Sequence, residues 1–556
     1  GRRTPDAGRR TPDAGRRTPD AGRRTPDAGR RTPDPVFGMS SGWLLVDGRP
    51  LAAATVLSHP EQLERLSEYC PEAAPTAVLG GDPCYDRILA ALPQRDRFRR
   101  ALGVGPGQRL IVVNSTWSAR SLFGGPPGDQ DRTTADQGRT TGVQGRTKGA
   151  DGTETGDLLP WLLSRLARDL PADEYRTTAV LHPNIWHGHG PGQVRAWLDH
   201  ARQAGLDLIP PLDGWRQALI AADCVIGDHG SVTYYAASIG VPVLLGAFPE
   251  ETLDPHSPVA ALVRAAPRLV RHGGPGGLRA QIDQVIASHD PGRYRELAAQ
   301  TTSSPGESGT LLRRLFYRLM DLTEPDDRPA LLDPLPLPPY TPARRTAPIR
   351  ALTRVLAGTP PEITVIRRTT DEDAPEPTTA GRATAEPATA GLTTSEPTTA
   401  KAVPDAAHTV VDEDTPHISR LRIADVVVRH APADDPRVGP PSAWTTETLT
   451  RYPYCALAVY VDGTDTCAVR TREGTLLRLT ARPGPDGRPD LCDPAAYASA
   501  LYAWTSGGRP LAEAAPEIVV RTGRTAHHVR VEHLAPPPPH QDQDQDQDQD
   551  QGSGLA

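Results

Sequence analysis

At 556 residues the chain has room for two or three domains, but 60 prolines, 51 glycines and a hydrophobic share of only 37% mean that much of it cannot bury a core. A net charge of −7 offers no basic excess for neutralising the phosphates of a duplex, so nucleic acid is not an expected partner. The only lysines, Lys148 and Lys401, lie in low-complexity sequence and no G-x-x-x-x-G-K-[ST] occurs, which excludes lysine chemistry and a P-loop nucleotidase.

Residues 1–35 are five copies of G-R-R-T-P-D-A, the last ending in Pro35. No copy holds a large apolar residue and each holds a proline, so the segment is expected to be disordered rather than coiled coil. Residues 36–84 read as the remnant of an N-terminal α/β half. Strands are predicted at 43–46 and 53–57 around an Asp47-Gly48 turn, with a helix at 60–69 and a strand at 76–79. Helices at 86–92 and 96–102 follow the turn-rich Gly80-Gly81-Asp82-Pro83.

From Arg109 the pattern is regular α/β. Strands are predicted at 110–113, 178–181, 206–209, 224–227 and 241–245, alternating with helices at 157–167, 195–204 and 214–221. Between the last two strands, Val232, Tyr235, Ala236 and Ile239 fall at i, i+3, i+4 and i+7, the spacing of a buried helix face, and Gly240 stops the helix. Helices at 258–265, 277–289, 293–299 and 308–320 complete the domain, which spans 85–320. Residues 124–156 contain little besides Gly, Thr, Asp, Gln and Arg and read as a disordered insertion in a surface loop.

Residues 321–416, rich in Pro, Thr, Ala and Glu, read as a disordered linker. Order returns in a small α+β module, 417–535, with strands at 421–429, 456–461, 466–471, 476–480, 517–521 and 528–531 and a helix at 493–504. Residues 536–556 form a disordered tail. The expected fold class is therefore α/β: a Rossmann-like parallel sheet with a truncated N-terminal half, a small C-terminal module and long disordered segments. Six cysteines without a C-x-x-C pair suit neither a zinc module nor a disulfide framework. With no signal peptide and no apolar run of about 18 residues, a cytoplasmic protein without a membrane span is expected.

Three predicted strand ends carry polar residues: Ser115-Thr116-Trp117, His182-Pro183 and Asp228-His229-Gly230-Ser231. Strands of a parallel sheet end on one edge, so these sets should converge on one crevice, where ligands of open α/β sheets bind. Gly230-Ser231 would open a helix with free N–H groups that suit a phosphate. Each member has a plainer alternative. His182 could be a satisfied loop histidine and Asp228 a helix cap. His182, His187 and His189 lie close in sequence but lack a nearby carboxylate or cysteine, so no metal site is expected.

The order G-D-P-x-x-D (81–86), S-T-W (115–117), H-P (182–183) and D-H-G-S-V (228–232) resembles the C-terminal domain of CDP-glycerol glycerophosphotransferases, and more loosely the GT-B group of nucleotide-sugar glycosyltransferases and epimerases. The resemblance covers about residues 36–320. It implies a transferase that binds a CDP- or UDP-activated donor without a tightly bound metal or other cofactor, in cell-envelope polymer synthesis, with peripheral membrane association left open. It also implies that Ser115, Thr116, Asp228, His229, Gly230, Ser231 and Val232 line the nucleotide and phosphate site. Ser231 and the adjacent amides would hold a phosphate, Asp228 would shape the loop, and His182 would contact or protonate the diphosphate leaving group. A leaving phosphate gains negative charge, which N–H donors and an imidazolium stabilise.

Two departures from the family pattern stand out. Tyr235 occupies the position of a carboxylate that meets the ribose, and its spacing fits core packing equally well. Only a short folded segment precedes Gly81, so the acceptor half is expected to be missing. Three readings follow: a transferase, a nucleotide-binding scaffold without turnover, or a truncated gene product whose missing half lies upstream.

Overall fold

The computed structural model describes residues 38–118, 120–124, 158–271, 277–339, 344–356, 358–370, 406–484 and 486–534. The heptapeptide repeats, the insertion beyond Gly124, the centre of the expected linker and the C-terminal tail lie outside the described residues.

A turn of helix, Ser41–Leu44, stands where a strand is expected, and only β1 (Leu45–Val46) and β2 (Arg49–Pro50) pair. Their turn residues Asp47 and Gly48 have φ of 50° and 73°, the left-handed backbone of a two-residue hairpin. β3 (Thr55–Leu57) and β4 (Ala77–Leu79) run parallel, joined by the helix Pro60–Tyr69. This N-terminal segment is thus a single βαβ unit with a small core of Leu57, Leu66, Cys70 and Ala73.

The main sheet contains β5 (Arg109–Ser115), β6 (Tyr175–Leu181), β7 (Leu206–Leu208), β8 (Cys224–Gly227) and β9 (Val243–Leu245). All pairings are parallel, in the order β7-β6-β5-β8-β9. This is the doubly wound arrangement, in which the order reverses between the first and fourth strands, here β5 and β8. Alternate residues of each strand feed opposite faces. Leu110, Val112, Val225 and Leu245 pack under helices that include Trp215–Ala221 and Ser231–Ser238. Ile111, Val113, Ile226 and Leu244 pack under helices that include Leu158–Asp169 and Gly277–Ala287. Burial on both faces explains why these strands read as apolar runs.

The C-terminal part departs from expectation. β10 (Ile349–Leu356), β11 (Glu362–Thr369) and β12 (Ala406–Asp412) lie within the expected linker, so its boundaries at 321–416 are wrong. β10 alternates strictly, with Ile349, Ala351, Thr353 and Val355 buried. Its period of two is that of a strand with one buried face, and it is hidden only when composition is averaged over the Pro- and Thr-rich surroundings. These strands join β13 (Val426–His430), β14 (Leu457–Val461), β15 (Thr466–Thr471), β16 (Leu476–Ala481), β17 (Glu517–Thr522) and β18 (Thr525–His533) in a closed barrel. The strand expected at 421–429 is instead the short helix Ile418–Leu421 followed by β13. β12, β13 and β14 are mutually parallel. The helix Ala495–Ser506 packs on the inner face of the barrel, and its small residues Ala496, Ala498 and Ala500 are fully buried.

The barrel is docked on the amino edge of the main sheet. Ala172 N–H donates to the Arg367 carbonyl at 2.8 Å, and Thr525 Oγ1 donates to the Pro106 carbonyl at 3.0 Å. Arg367, fully buried, reaches from β11 to make paired bonds with Asp173 at 2.8 and 2.5 Å.

Candidate functional site

The three polar strand ends meet. β5 and β8 are neighbours on either side of the reversal in strand order, and β6 flanks β5. Past the end of β6, His182 N–H donates to the Ser115 carbonyl at 3.0 Å. Asp228 sits at the centre, with no exposed surface. Its Oδ2 accepts from Ser115 Oγ at 3.1 Å, Thr116 N–H at 2.8 Å, Thr116 Oγ1 at 3.0 Å and Leu122 N–H at 3.1 Å. Its Oδ1 accepts from Gly230 N–H at 3.1 Å. Asp228 is therefore a tie between two strand-end loops rather than a cap on the following helix, whose N-cap residue is Gly230.

Two glycines make this closeness sterically feasible. A Cβ on Gly227 would lie 2.2 Å from Asn114 Oδ1 and 2.4 Å from Thr233 Oγ1, atoms that bond to each other at 3.1 Å. A Cβ on Gly230 would lie 2.3 Å from Thr116 Cγ2. The backbone of the second loop is thus pressed against the end of β5, which only glycine permits.

Beyond Gly230, Ser231 is exposed at the first position of the helix Ser231–Ser238, and no side chain caps that helix. Its first N–H groups lack intrahelical partners, and the helix dipole makes this end attractive to an anion. Val232 is partly buried and packs into the core beneath. His229 is half-buried, and its Nδ1 is a buried atom without a hydrogen-bond partner. Burial lowers its pKa, and the Asp228 charge offsets this only in part.

His182 caps the helix Pro183–His189, its Nδ1 accepting from Asn184 N–H at 3.1 Å. The ring centroid stands 6.4 Å from that of Trp117. Burial lowers its pKa, again with partial compensation from Asp228. With Nδ1 accepting from Asn184, Nε2 is the ring nitrogen that His182 can offer to a ligand as a donor. His189 leaves this group: it packs against Phe123 and Trp197 at ring distances of 5.9 and 5.0 Å. Among the described residues no set of three His, Cys, Asp or Glu side chains gathers as metal ligands.

Tyr235 packs against the core as its spacing allows, but at the edge of the fully buried face of Thr233, Tyr234, Ala236 and Ala237. Half-buried, it stacks between Tyr85 and Trp215, at 6.0 Å from each, and donates to Asp82 Oδ2 at 2.7 Å. Asp82 in turn caps the helix Pro83–Ala91 through Cys84 N–H and Tyr85 N–H. Asp86 is buried and accepts from Gly306 N–H at 2.7 Å and Ser308 N–H at 3.0 Å, capping the helix Ser308–Leu319. Both carboxylates of the G-D-P-x-x-D segment thus hold helices together. Sequence reading overlooked a second concave region between the barrel and the sheet, around Arg367, His430 and Asp493. Its local signal is slight, an Asp-Pro at a helix start and a histidine at a strand end.

No family model matches this chain, and no curated protein matches it. Solved structures do. The wall teichoic acid polymerase TagF aligns with 48% of this chain at 13% identity and a TM-score of 0.28, over 58% of its own length. The UDP-GlcNAc 2-epimerase of Neisseria meningitidis, bound to UDP-GlcNAc, aligns with 48% at 13% identity and 0.26, over 61% of its length. A glycosyltransferase from Rickettsia africae aligns with 49% at 12% identity and 0.26, over 63% of its length. This chain therefore spans less than two thirds of each.

Proposed function

We propose that the α/β domain binds the diphosphate of a nucleotide-activated donor, CDP- or UDP-linked, at the carboxyl edge of its sheet and serves a group-transfer reaction. The observation that supports this is the Asp228 tie at the reversal in strand order, because open α/β sheets bind ligands where strand order reverses. The tie holds the uncapped start of the helix Ser231–Ser238 beside the ends of β5 and β6. In this reading Ser231 Oγ and the first helical N–H groups take the phosphates, and Asp228 fixes the loops. His182 Nε2–H donates to the oxygen on which charge grows as the nucleotide departs. Thr116 and His229 form the walls, and the reaction calls for no cofactor. Transfer to a cell-envelope polymer, in the cytoplasm or at a membrane surface, is the setting that the family resemblance suggests.

Titration calorimetry with CDP and UDP tests the site, whether or not turnover accompanies binding. Ser231→Ala and His182→Ala should weaken binding while His189→Ala leaves it unchanged, and equal effects from all three would refute the assignment.

A further inference from the structure

The barrel and the α/β domain enclose a cavity of about 610 Å³, within the range of small-molecule sites, about 300–1,000 Å³. It lies at the opposite edge of the sheet from the Asp228 crevice, since Gln108 and Asp173 precede β5 and β6. β6 is seven residues long, so at about 3.3 Å per residue the two regions are roughly 20 Å apart.

One wall is a cluster of guanidinium groups. Arg367 is held by Asp173 and, at 2.9 Å, by Asp493, and Arg176 pairs with Asp207 at 2.7 Å. Arg345 donates to the Ala172 carbonyl at 3.0 Å and has no carboxylate partner among the described residues. Each of the three keeps a buried N–H with no partner: Arg176 Nε, Arg345 Nε and Arg367 Nη1. Buried donors of this kind are costly to leave unmade. Burial lowers the pKa of Arg345, and the neighbouring Arg367 and Arg176 charges push the same way against Asp173 and Asp493. An anion beside Arg345 would offset the positive charges that crowd it.

The facing wall is built by the barrel. The parallel strands β12, β13 and β14 bring Asp412, His430 and Asp462 to one mouth, where the segment leading into the helix Ala495–Ser506 adds Asp490 and Asp493. His430 Nδ1 lies 3.0 Å from Asp412 and its Nε2 3.9 Å from Asp493, while Asp490 meets His527 at 2.6 Å. Each carboxylate has about four lone-pair sites, so acceptors remain for hydroxyl groups. No Phe, Tyr or Trp appears among the described lining residues, so the large aromatic faces on which nucleobases stack are missing from them.

We propose that this cavity binds a small polyhydroxylated monophosphate, a molecule of sugar-phosphate type, with its phosphate on the Arg345 wall and its hydroxyls on the carboxylates of the barrel mouth. Phosphate suits the first wall because its oxygens match several guanidinium forks at once. Bound there, it bridges the two domains.

Titration calorimetry of the full chain with glucose 6-phosphate and ribose 5-phosphate tests this, with glucose and inorganic phosphate as the two partial probes. At least one sugar phosphate should bind one-to-one with a Kd of about 1 mM or tighter. Glucose should not bind, and inorganic phosphate should bind at least about tenfold more weakly. Arg345→Ala should weaken the interaction about 10–100-fold, as loss of a charge-assisted bond does. Thr464→Trp, at an exposed lining position outside the ion pairs, should block it. Saturating CDP should leave the affinity unchanged. The proposal is overturned if neither sugar phosphate binds at about 10 mM. It also fails if both variants bind like the parent, if phosphate alone accounts for the affinity, or if CDP competes.

Discussion

Replacing Asp228 tests whether the crevice is organised as described, because its carboxylate serves donors from two loops at once. An asparagine keeps one acceptor oxygen. Turned so that this oxygen meets Ser115, Thr116 and Leu122, its amide faces Gly230 N–H, a single donor-to-donor contact that costs about 1–3 kcal/mol. Asp228→Ala removes the acceptor from three backbone N–H groups, of Thr116, Leu122 and Gly230, which cannot turn away as the hydroxyls of Ser115 and Thr116 can. At about 1–3 kcal/mol for each unmade bond, the loss is about 3 kcal/mol or more. Urea unfolding followed by far-UV circular dichroism measures both, read as a shift in midpoint at unchanged slope. Alanine should cost at least about twice as much as asparagine. Equal costs, or costs below about 1 kcal/mol for both, would refute the tie.

Further outcomes follow from the barrel and its docking. His408 is buried with neither ring nitrogen bonded, and it packs on Tyr502 at 4.3 Å. His408→Phe should therefore stabilise the fold by about 1–3 kcal/mol in the same urea assay. Burial, aided by the Arg367 charge, pushes the His408 pKa down to about 3. The unfolded chain takes up this proton near pH 6.5, so stability falls as pH drops below that value, and His408→Phe should flatten the acid limb of a melting-temperature profile. His430 behaves oppositely. Burial alone would lower it, but its bonds to Asp412 and Asp493 hold its pKa at about 9. Its contribution is complete below about pH 6.5 and is lost as pH rises through about 9, so His430→Gln should remove that alkaline decline. Asp173→Ala leaves the fully buried Arg367 with only Asp493 and should cost about 3–5 kcal/mol, whereas the double change Asp173→Leu with Arg367→Met should cost much less. Additive costs would show that the pair is not coupled.

The main sheet was legible in the sequence because its strands are short apolar runs bounded by glycine and polar ends, and 224–227 has the expected bounds. The convergence of Thr116, His182 and Asp228 was legible for the same reason, since parallel strands end on one edge. Which side of the helix Ser231–Ser238 is buried was not. A period of 3.6 residues over eight residues leaves Tyr234 and Tyr235 equally suited to the core, and the partners Asp82 and Trp215 that decide the matter are distant in sequence. The orientation of the His182 ring was equally hidden, because it depends on the Asn184 N–H. The barrel was obscured by composition, with eight-residue strands embedded in Pro- and Thr-rich sequence. The cavity was beyond reach, since Asp173, Arg367, His430 and Asp493 come together only through the docking of two domains.

Equilibrium unfolding of the full chain with and without CDP or UDP measures directly whether the carboxyl edge around Asp228 holds a nucleotide diphosphate. At about 100 times the dissociation constant found by calorimetry, the nucleotide should raise the unfolding free energy by about 2.7 kcal/mol, and Ser231→Ala should reduce the gain. No gain from either nucleotide, or a gain that Ser231→Ala and His182→Ala leave intact, would contradict it.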